Sequence, residues 1–227
     1  LWMIKVESGW TDKNRGCEKP EVFFKKAYPA IYNYFLDIDQ QVKNGKLKIK
    51  GKGLRNRDDQ GRYWWELRDC NYYQEFEKRK IVWPVIGREG TFAYDYQSFY
   101  HNDKAFSLVG EELKLLISFL NSRLAYWYLL QIGSKLGSKG FEFRKIYVEQ
   151  LPVPQIPKGK QKPLIDLVDK ILANTKSDDY LENSNKQAKV HEYEKQIDQM
   201  VYKLYSLTEE EIRIIEGQYS SVNIFSL

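Results

Sequence analysis

The stretch RYWWELRDCNYYQEFEKRKIVWPVIG, residues 62 to 87, sets Tyr63, Trp64, Trp65, Tyr72, Tyr73, Phe76 and Trp83 among charged side chains that fill nearly every gap. Alternating apolar and charged residues are what a half-buried strand presents, one face inward and one toward water. On that reading YWWEL and KIVWPVI are strands. Trp83, with Trp64 or Trp65, then fills the interior, while Arg62, Arg68, Lys78, Arg79 and Lys80 project outward. TFAY and AFSLV continue the β-prone run between Gly, Asp and Asn turn signals, which makes this the sheet-bearing part of the chain.

Helical signals lie on either side. In EKPEVFFKKAYPAIYNYFLDI, Pro20 and Pro29 each suit the first turn of a helix, so two helices are expected, the second burying Ile31, Tyr34, Phe35 and Ile38. EELKLLISFLNSRLAYWYLLQI repeats Leu113, Leu116, Leu120, Leu124 and Trp127 at three and four, predicting one long helix with those positions in the core. Prolines 152, 154, 157 and 163 mark a boundary. Beyond it Val190, Tyr193, Ile197, Met200 and Leu204 repeat like a coiled-coil seam, and Thr208 with Glu211 forms a capping-box pattern. The expected fold is α+β, a small mixed twisted sheet with packed helices over residues 1–157, followed by a helical arm over residues 158–227 that serves packing, self-association or docking.

Charge is divided unevenly. Residues 1–157 carry 26 Lys and Arg against 19 Asp and Glu, whereas residues 158–227 carry 10 against 12, so the first part is the side that attracts a polyanion. Two glycine-spaced basic stretches stand out. KNGKLKIKGKGLRNR, residues 43 to 57, holds seven basic residues and no acid. GSKLGSKGFEFRK, residues 133 to 145, is the second, where Gly133, Gly137 and Gly140 would let backbone approach phosphate. Each reads either as a solvated connection or as a phosphate-contacting loop.

Several chemistries find no support. There is no phosphate-binding glycine loop ending in Lys-Ser or Lys-Thr, no dinucleotide fingerprint and no Gly-x-Ser-x-Gly elbow. Nor is there a Pro-Pro pair, so the aminomethyltransferase tetrapeptide is missing. Asp103 with Glu112 and Lys114 fits the pattern of a metal-dependent nuclease, but Glu112 and Lys114 open a helix, where Glu111 and Glu112 are better read as charges favourable to its N-terminus. No catalytic residue and no metal ligand are therefore assigned. Cys17 and Cys70, with only two histidines, His101 and His191, read as buried free thiols in a reducing cytoplasm. No run approaches the roughly 20 apolar residues of a membrane span, and no signal peptide is visible. The opening LWMIKVESGW lacks an initiator Met, which suggests a piece of a longer protein.

The run RDDQGRYWWELRDCNYYQEFEKRKIVWPVIG, followed by FAYD, GEELKLLISFLNSRLAYWYL, GFEFRKIYVEQLPVP and YEKQIDQMVYKLYSLTEEEIRIIEG, resembles the C-terminal specificity region of bacterial type IIG restriction-modification enzymes and their adenine-methyltransferase relatives. It is also similar to one half of a type I specificity subunit. The resemblance implies an N-terminal methyltransferase domain in the same polypeptide, using S-adenosylmethionine to methylate a flipped adenine, and in some members a nuclease requiring Mg. No cofactor is expected in this chain itself, and the implied partner is double-stranded DNA.

On that resemblance Lys46, Lys48, Lys50, Lys52, Arg55 and Arg57, with Lys135, Lys139, Arg144 and Lys145, are expected on the DNA backbone. Asn56, Asp58, Gln60 and Arg62 are the expected base readers, Gln60 suiting adenine and Asp58 cytosine. Two other readings stay open. One is an assembly module built on residues 187 to 216. The other is a single-stranded nucleic acid or RNA binder that stacks bases on Tyr63, Trp64, Tyr72, Tyr73 and Phe76.

Overall fold

The structure, a computed structural model, describes residues 3–47, 53–87, 92–137 and 140–221, with side chains to residue 217. It divides into two compact units, Leu1–Gln74 and Glu75–Leu227.

The N-terminal unit is built on three helices, α1 (Trp10–Asn14), α2 (Pro20–Ala27) and α3 (Pro29–Lys43). Pro20 and Pro29 occupy the first turns of α2 and α3, where a missing N–H costs nothing. On α3 the buried residues are Tyr32 and Asp39, while Ile31 and Phe35 pack beside them and Tyr34 is exposed. The expected face is thus rotated toward Tyr32.

YWWEL is not a strand but a turn, closed by Glu66 N–H to the Tyr63 carbonyl at 2.9 Å and Gly61 N–H to the Glu66 carbonyl at 3.0 Å. In a strand, adjacent Trp64 and Trp65 would point to opposite faces. The turn lets both join one cluster, Trp65 against Phe24 of α2 and Trp64 against Tyr32 and Phe35 of α3. Trp65 lies between Tyr63 and Phe24, each 5.0 Å away with planes within 9° and 5°, and Trp64 meets it edge-on at 5.5 Å. Gly61 is required here, since a Cβ would sit 2.4 Å from the Leu67 carbonyl oxygen.

In the C-terminal unit, β1 (Lys80–Pro84) is the centre of a three-stranded sheet, flanked by β3 (Ala93–Asp95) and β4 (Ala105–Val109). β2 (Ile86–Gly87) pairs with β5 (Phe141–Glu142). Val85 joins the two sheets, donating to the Lys104 carbonyl and accepting from Phe143 N–H. Pairing among the described residues is antiparallel throughout, where a mixed sheet was expected. Between β1 and β3 the connection, residues 85–92, is too short for the crossover a parallel pair needs.

The long helix expected over residues 111–132 is two, α4 (Leu113–Leu120) and α5 (Arg123–Ile132). Asn121 spends its side-chain amide on both backbone groups of Phe92, at 2.9 and 2.8 Å, and Ser122 caps α5 by accepting from Ala125 N–H. Leu113 and Leu120 are core as expected, together with Ile117, Phe119 and Leu129, whereas Leu116 and Leu124 are partly buried beside it.

After α6 (Lys145–Val148) come α7 (Lys158–Thr175), α8 (Ser184–Leu204) and α9 (Glu209–Ser221). Leu164, Leu167 and Val168 of α7 and Ile197 and Val201 of α8 join the same core as Ile81 and Trp83 of β1. The proline segment at residues 152–157 accordingly lies within this unit. Thr208 and Glu211 form the capping box, with Thr208 N–H to Glu211 Oε2 at 2.7 Å and Glu211 N–H to Thr208 Oγ1 at 3.3 Å. Among the described residues no helix is long and apolar enough to cross a membrane.

Asp198 ties α8 to the start of α5. It accepts Arg123 N–H at 2.8 Å and lies 3.3 Å from Arg123 Nε. Burial pushes its carboxyl up to about 6, with Glu194 and Glu216 adding to the rise and Arg123 opposing it. The folded state therefore holds this proton more tightly than the unfolded chain. That contribution to stability is full below the ordinary carboxylate value and is lost as pH rises through about 6. Asp198→Asn keeps an acceptor for Arg123 N–H and removes the buried charge. Across pH 4 to 8, chemical denaturation of the variant should lack a loss on the order of 2 kcal/mol that the wild type shows.

Candidate nucleic-acid interface

The first basic stretch leaves the end of α3 and is received back by α3 itself. Asp39, almost fully buried, accepts Leu54 N–H at 2.5 Å and Arg55 N–H at 3.4 Å. Lys46 is exposed at the outgoing end, while Lys48, Lys50 and Lys52 lie outside the described residues.

Beyond the return point the basic side chains are held by the unit itself. Arg55 lies 4.7 Å above the Trp64 ring and donates to Glu21, which also accepts Tyr32 Oη. Arg57 turns inward and donates to the Glu66 carbonyl. Gln60 is exposed and donates to the Arg57 carbonyl at 3.2 Å; Asn56 and Asp58 are exposed. Arg62 bonds Asp12 at 3.1 Å. Asp12 is held down to about 2 by Arg15 first, then by Tyr63 and Arg62.

Glu66 explains why charges stand among these aromatics. Fully buried, it accepts Gly9 N–H at 3.0 Å and Thr11 N–H at 2.9 Å, satisfying donors at the start of α1 that no helix bond serves. Trp65 Nε1 donates to Thr11 Oγ1 at 2.9 Å, so the same turn delivers a ring and a carboxylate to one helix end.

The second basic stretch, in the C-terminal unit, forms a hairpin. Glu142 N–H donates to the Ser134 carbonyl at 3.0 Å and Leu136 N–H to the Gly140 carbonyl at 2.8 Å, and the turn uses positive φ at Gly137 and Gly140. Gly133 starts it where a Cβ would lie 2.7 Å from the Leu129 carbonyl oxygen. Lys135 is exposed beside the Phe141 ring, Arg144 pairs with Glu142 at 3.0 Å, and Lys145 lies 3.8 Å from Glu149. Lys139 lies outside the described residues. Trp83 Nε1 donates to the Phe143 carbonyl, which fixes the hairpin to β1.

Lys80 does not project outward. It is fully buried, 2.6 Å from Asp95 and 2.6 Å from the Phe76 carbonyl. The nuclease pattern also separates. Asp103 pairs with Lys104, Lys114 pairs with Asp169, and Glu112 stands at the position before α4 with φ +53° and no capping bond from its side chain. Among the described residues no group of three His, Cys, Asp or Glu could hold a metal. Both cysteines are free, but Cys17 is exposed and Cys70 half-buried, where two buried thiols were expected.

The TaqI-like C-terminal specificity domain matches residues 24–153, more than half of the chain and a span that includes both basic stretches. The chain belongs to this family. Its role is recognition of a DNA sequence in restriction and modification. The matched residues of the specificity domain run from α2 to Val153, so α7, α8 and α9 lie beyond them. No curated protein matches the sequence.

Sequence reasoning missed Asp39, Glu66, Lys80 and Asp95, which hold the loops in place. Glu66→Ala should leave two buried N–H groups of α1 unanswered and lower the free energy of unfolding by about 2 to 4 kcal/mol. Denaturant titration followed by tryptophan fluorescence measures it.

Proposed function

We propose that this specificity domain reads a short sequence in double-stranded DNA and aims an adenine methyltransferase, carried N-terminal to it in one polypeptide and using S-adenosylmethionine, at that site. The observation that carries the reading is the family match over both basic stretches. The excess of Lys and Arg in residues 1–157 supports it. So does the exposure of Lys46 and Lys135 on loops fixed by buried groups and of Arg144 and Lys145 at the start of α6. Lys46, Lys135, Arg144 and Lys145 serve the DNA backbone, with Lys48, Lys50, Lys52 and Lys139 assigned to the same role. Arg55 and Arg57 act mainly by holding the first loop, and Asn56, Asp58, Gln60 and Arg62 are its base readers. A nuclease in the same polypeptide would bring its own Mg site.

The other two readings have less behind them. Stacking of single-stranded bases would need several exposed rings among Tyr63, Trp64, Tyr72, Tyr73 and Phe76, and of these Tyr72 alone is exposed. The seam proposed for assembly is spent internally, since Ile197 is buried and Tyr193, Met200 and Leu204 pack against the core of the C-terminal unit.

Selection of the chain against randomised duplexes at two salt concentrations tests the proposal. Retention should weaken steeply with salt and enrich one motif. Lys135→Gln should reduce the slope of log affinity against log salt by about 0.9, whereas Arg57→Ala should lower the melting temperature and leave the slope nearly unchanged. Absence of retention at low salt refutes direct recognition by this chain.

A further inference from the structure

A second loop of the C-terminal unit, outside both basic stretches, is organised for contact. It leaves β3 at Asp95, whose carboxylate accepts Gln97 N–H at 2.8 Å on one oxygen and Phe99 N–H at 2.9 Å on the other. The second of these oxygens also receives buried Lys80, which is anchored in turn to the Phe76 carbonyl. Ser98, between the two held residues, has φ +59° and donates to the Glu77 carbonyl at 2.9 Å. Tyr100 stacks on Phe76 at 4.7 Å and donates to Glu77.

This arrangement costs more than a solvated connection warrants. A buried ion pair is seldom better for stability than an apolar pair of the same size, and a non-glycine residue at positive φ adds strain. What they hold in place is the backbone that carries an aromatic ring facing water. Phe99 is 64% exposed, more than Tyr96 at 40%, whose ring has Lys176 Nζ 3.7 Å from its centre. Gln97 is exposed as well.

We propose that Phe99 is a base-reading residue that packs against the 5-methyl group of a thymine in the major groove, and that Gln97, fixed by the same carboxylate, offers its amide to an adenine edge. Thymine is the base that presents an apolar group there, and an amide matches adenine N6 and N7. A fixed backbone sharpens the choice, because contact then has only the side-chain rotamers left to order. The inference rests on the proposed duplex recognition.

The test uses the full chain and the motif it selects, with uracil replacing each thymine in turn. One position should weaken wild-type binding about four-fold, the worth of one buried methyl group. Phe99→Ala should bind thymine and uracil forms of that site equally, with wild-type melting temperature and salt slope; Phe99→Leu should keep part of the difference. A motif in which no uracil replacement matters overturns this inference alone. So does a Phe99→Ala protein that still tells the two forms apart, or one weakened equally on every sequence, which would mark Phe99 as a wedge between base steps. Failure of the wild type to retain any duplex removes the proposed function and this inference with it.

Discussion

An ammonium group shielded from water ties the first residue of the central strand to the last residue of its neighbour. Lys80 and Asp95 stand opposite each other in the β1–β3 register, and their contact at 2.6 Å is made where neither can be solvated. In such a place each charge needs the other, since removing one partner leaves an uncompensated ion in the interior. Strand register, the docking of the Phe76 turn and the course of the chain from Asp95 to Tyr100 all follow from satisfying that one pair.

The same logic recurs in the N-terminal unit without a sheet. Glu66 answers donors 55 and 57 residues away, and Asp39 answers donors 15 and 16 residues ahead of it. Flat rings pack around these carboxylates because they fill space between short helices while leaving their edges open to polar neighbours. Trp65 does both, stacking on Phe24 and donating to Thr11. Among the charges interleaved with the aromatics, Glu66 and Lys80 are therefore internal fittings, while Arg62, Arg68, Asp69, Glu77, Lys78 and Arg79 stand at the surface.

A division of labour follows for a specificity domain. Residues that hold a loop must stay while residues at its surface change, if related proteins are to read different sequences. Asp39, Asp95, Gly61 and Gly133 belong to the first kind by burial or by close approach of backbone. Lys46, Asp58, Gln97 and Phe99 are exposed, as the second kind has to be.

Features with a local cause were legible in the sequence. Pro20 and Pro29 start helices because their rings preset φ, Thr208 and Glu211 cap α9 across three residues, and KIVWP and AFSLV are strands because their residue types suit a half-buried pleat. The α+β class and the two basic stretches came from the same kind of signal. The turn at YWWEL, the break at Asn121 and the burial of Lys80 were not legible, nor was the inward course of Arg57. Each depends on a partner brought close only by folding: Phe24 and Thr11 for Trp65, the Phe92 backbone for Asn121, Asp95 for Lys80, the Glu66 carbonyl for Arg57. A sequence shows which side chains carry charge, but whether a charge meets water or another charge is decided by what the tertiary structure places beside it.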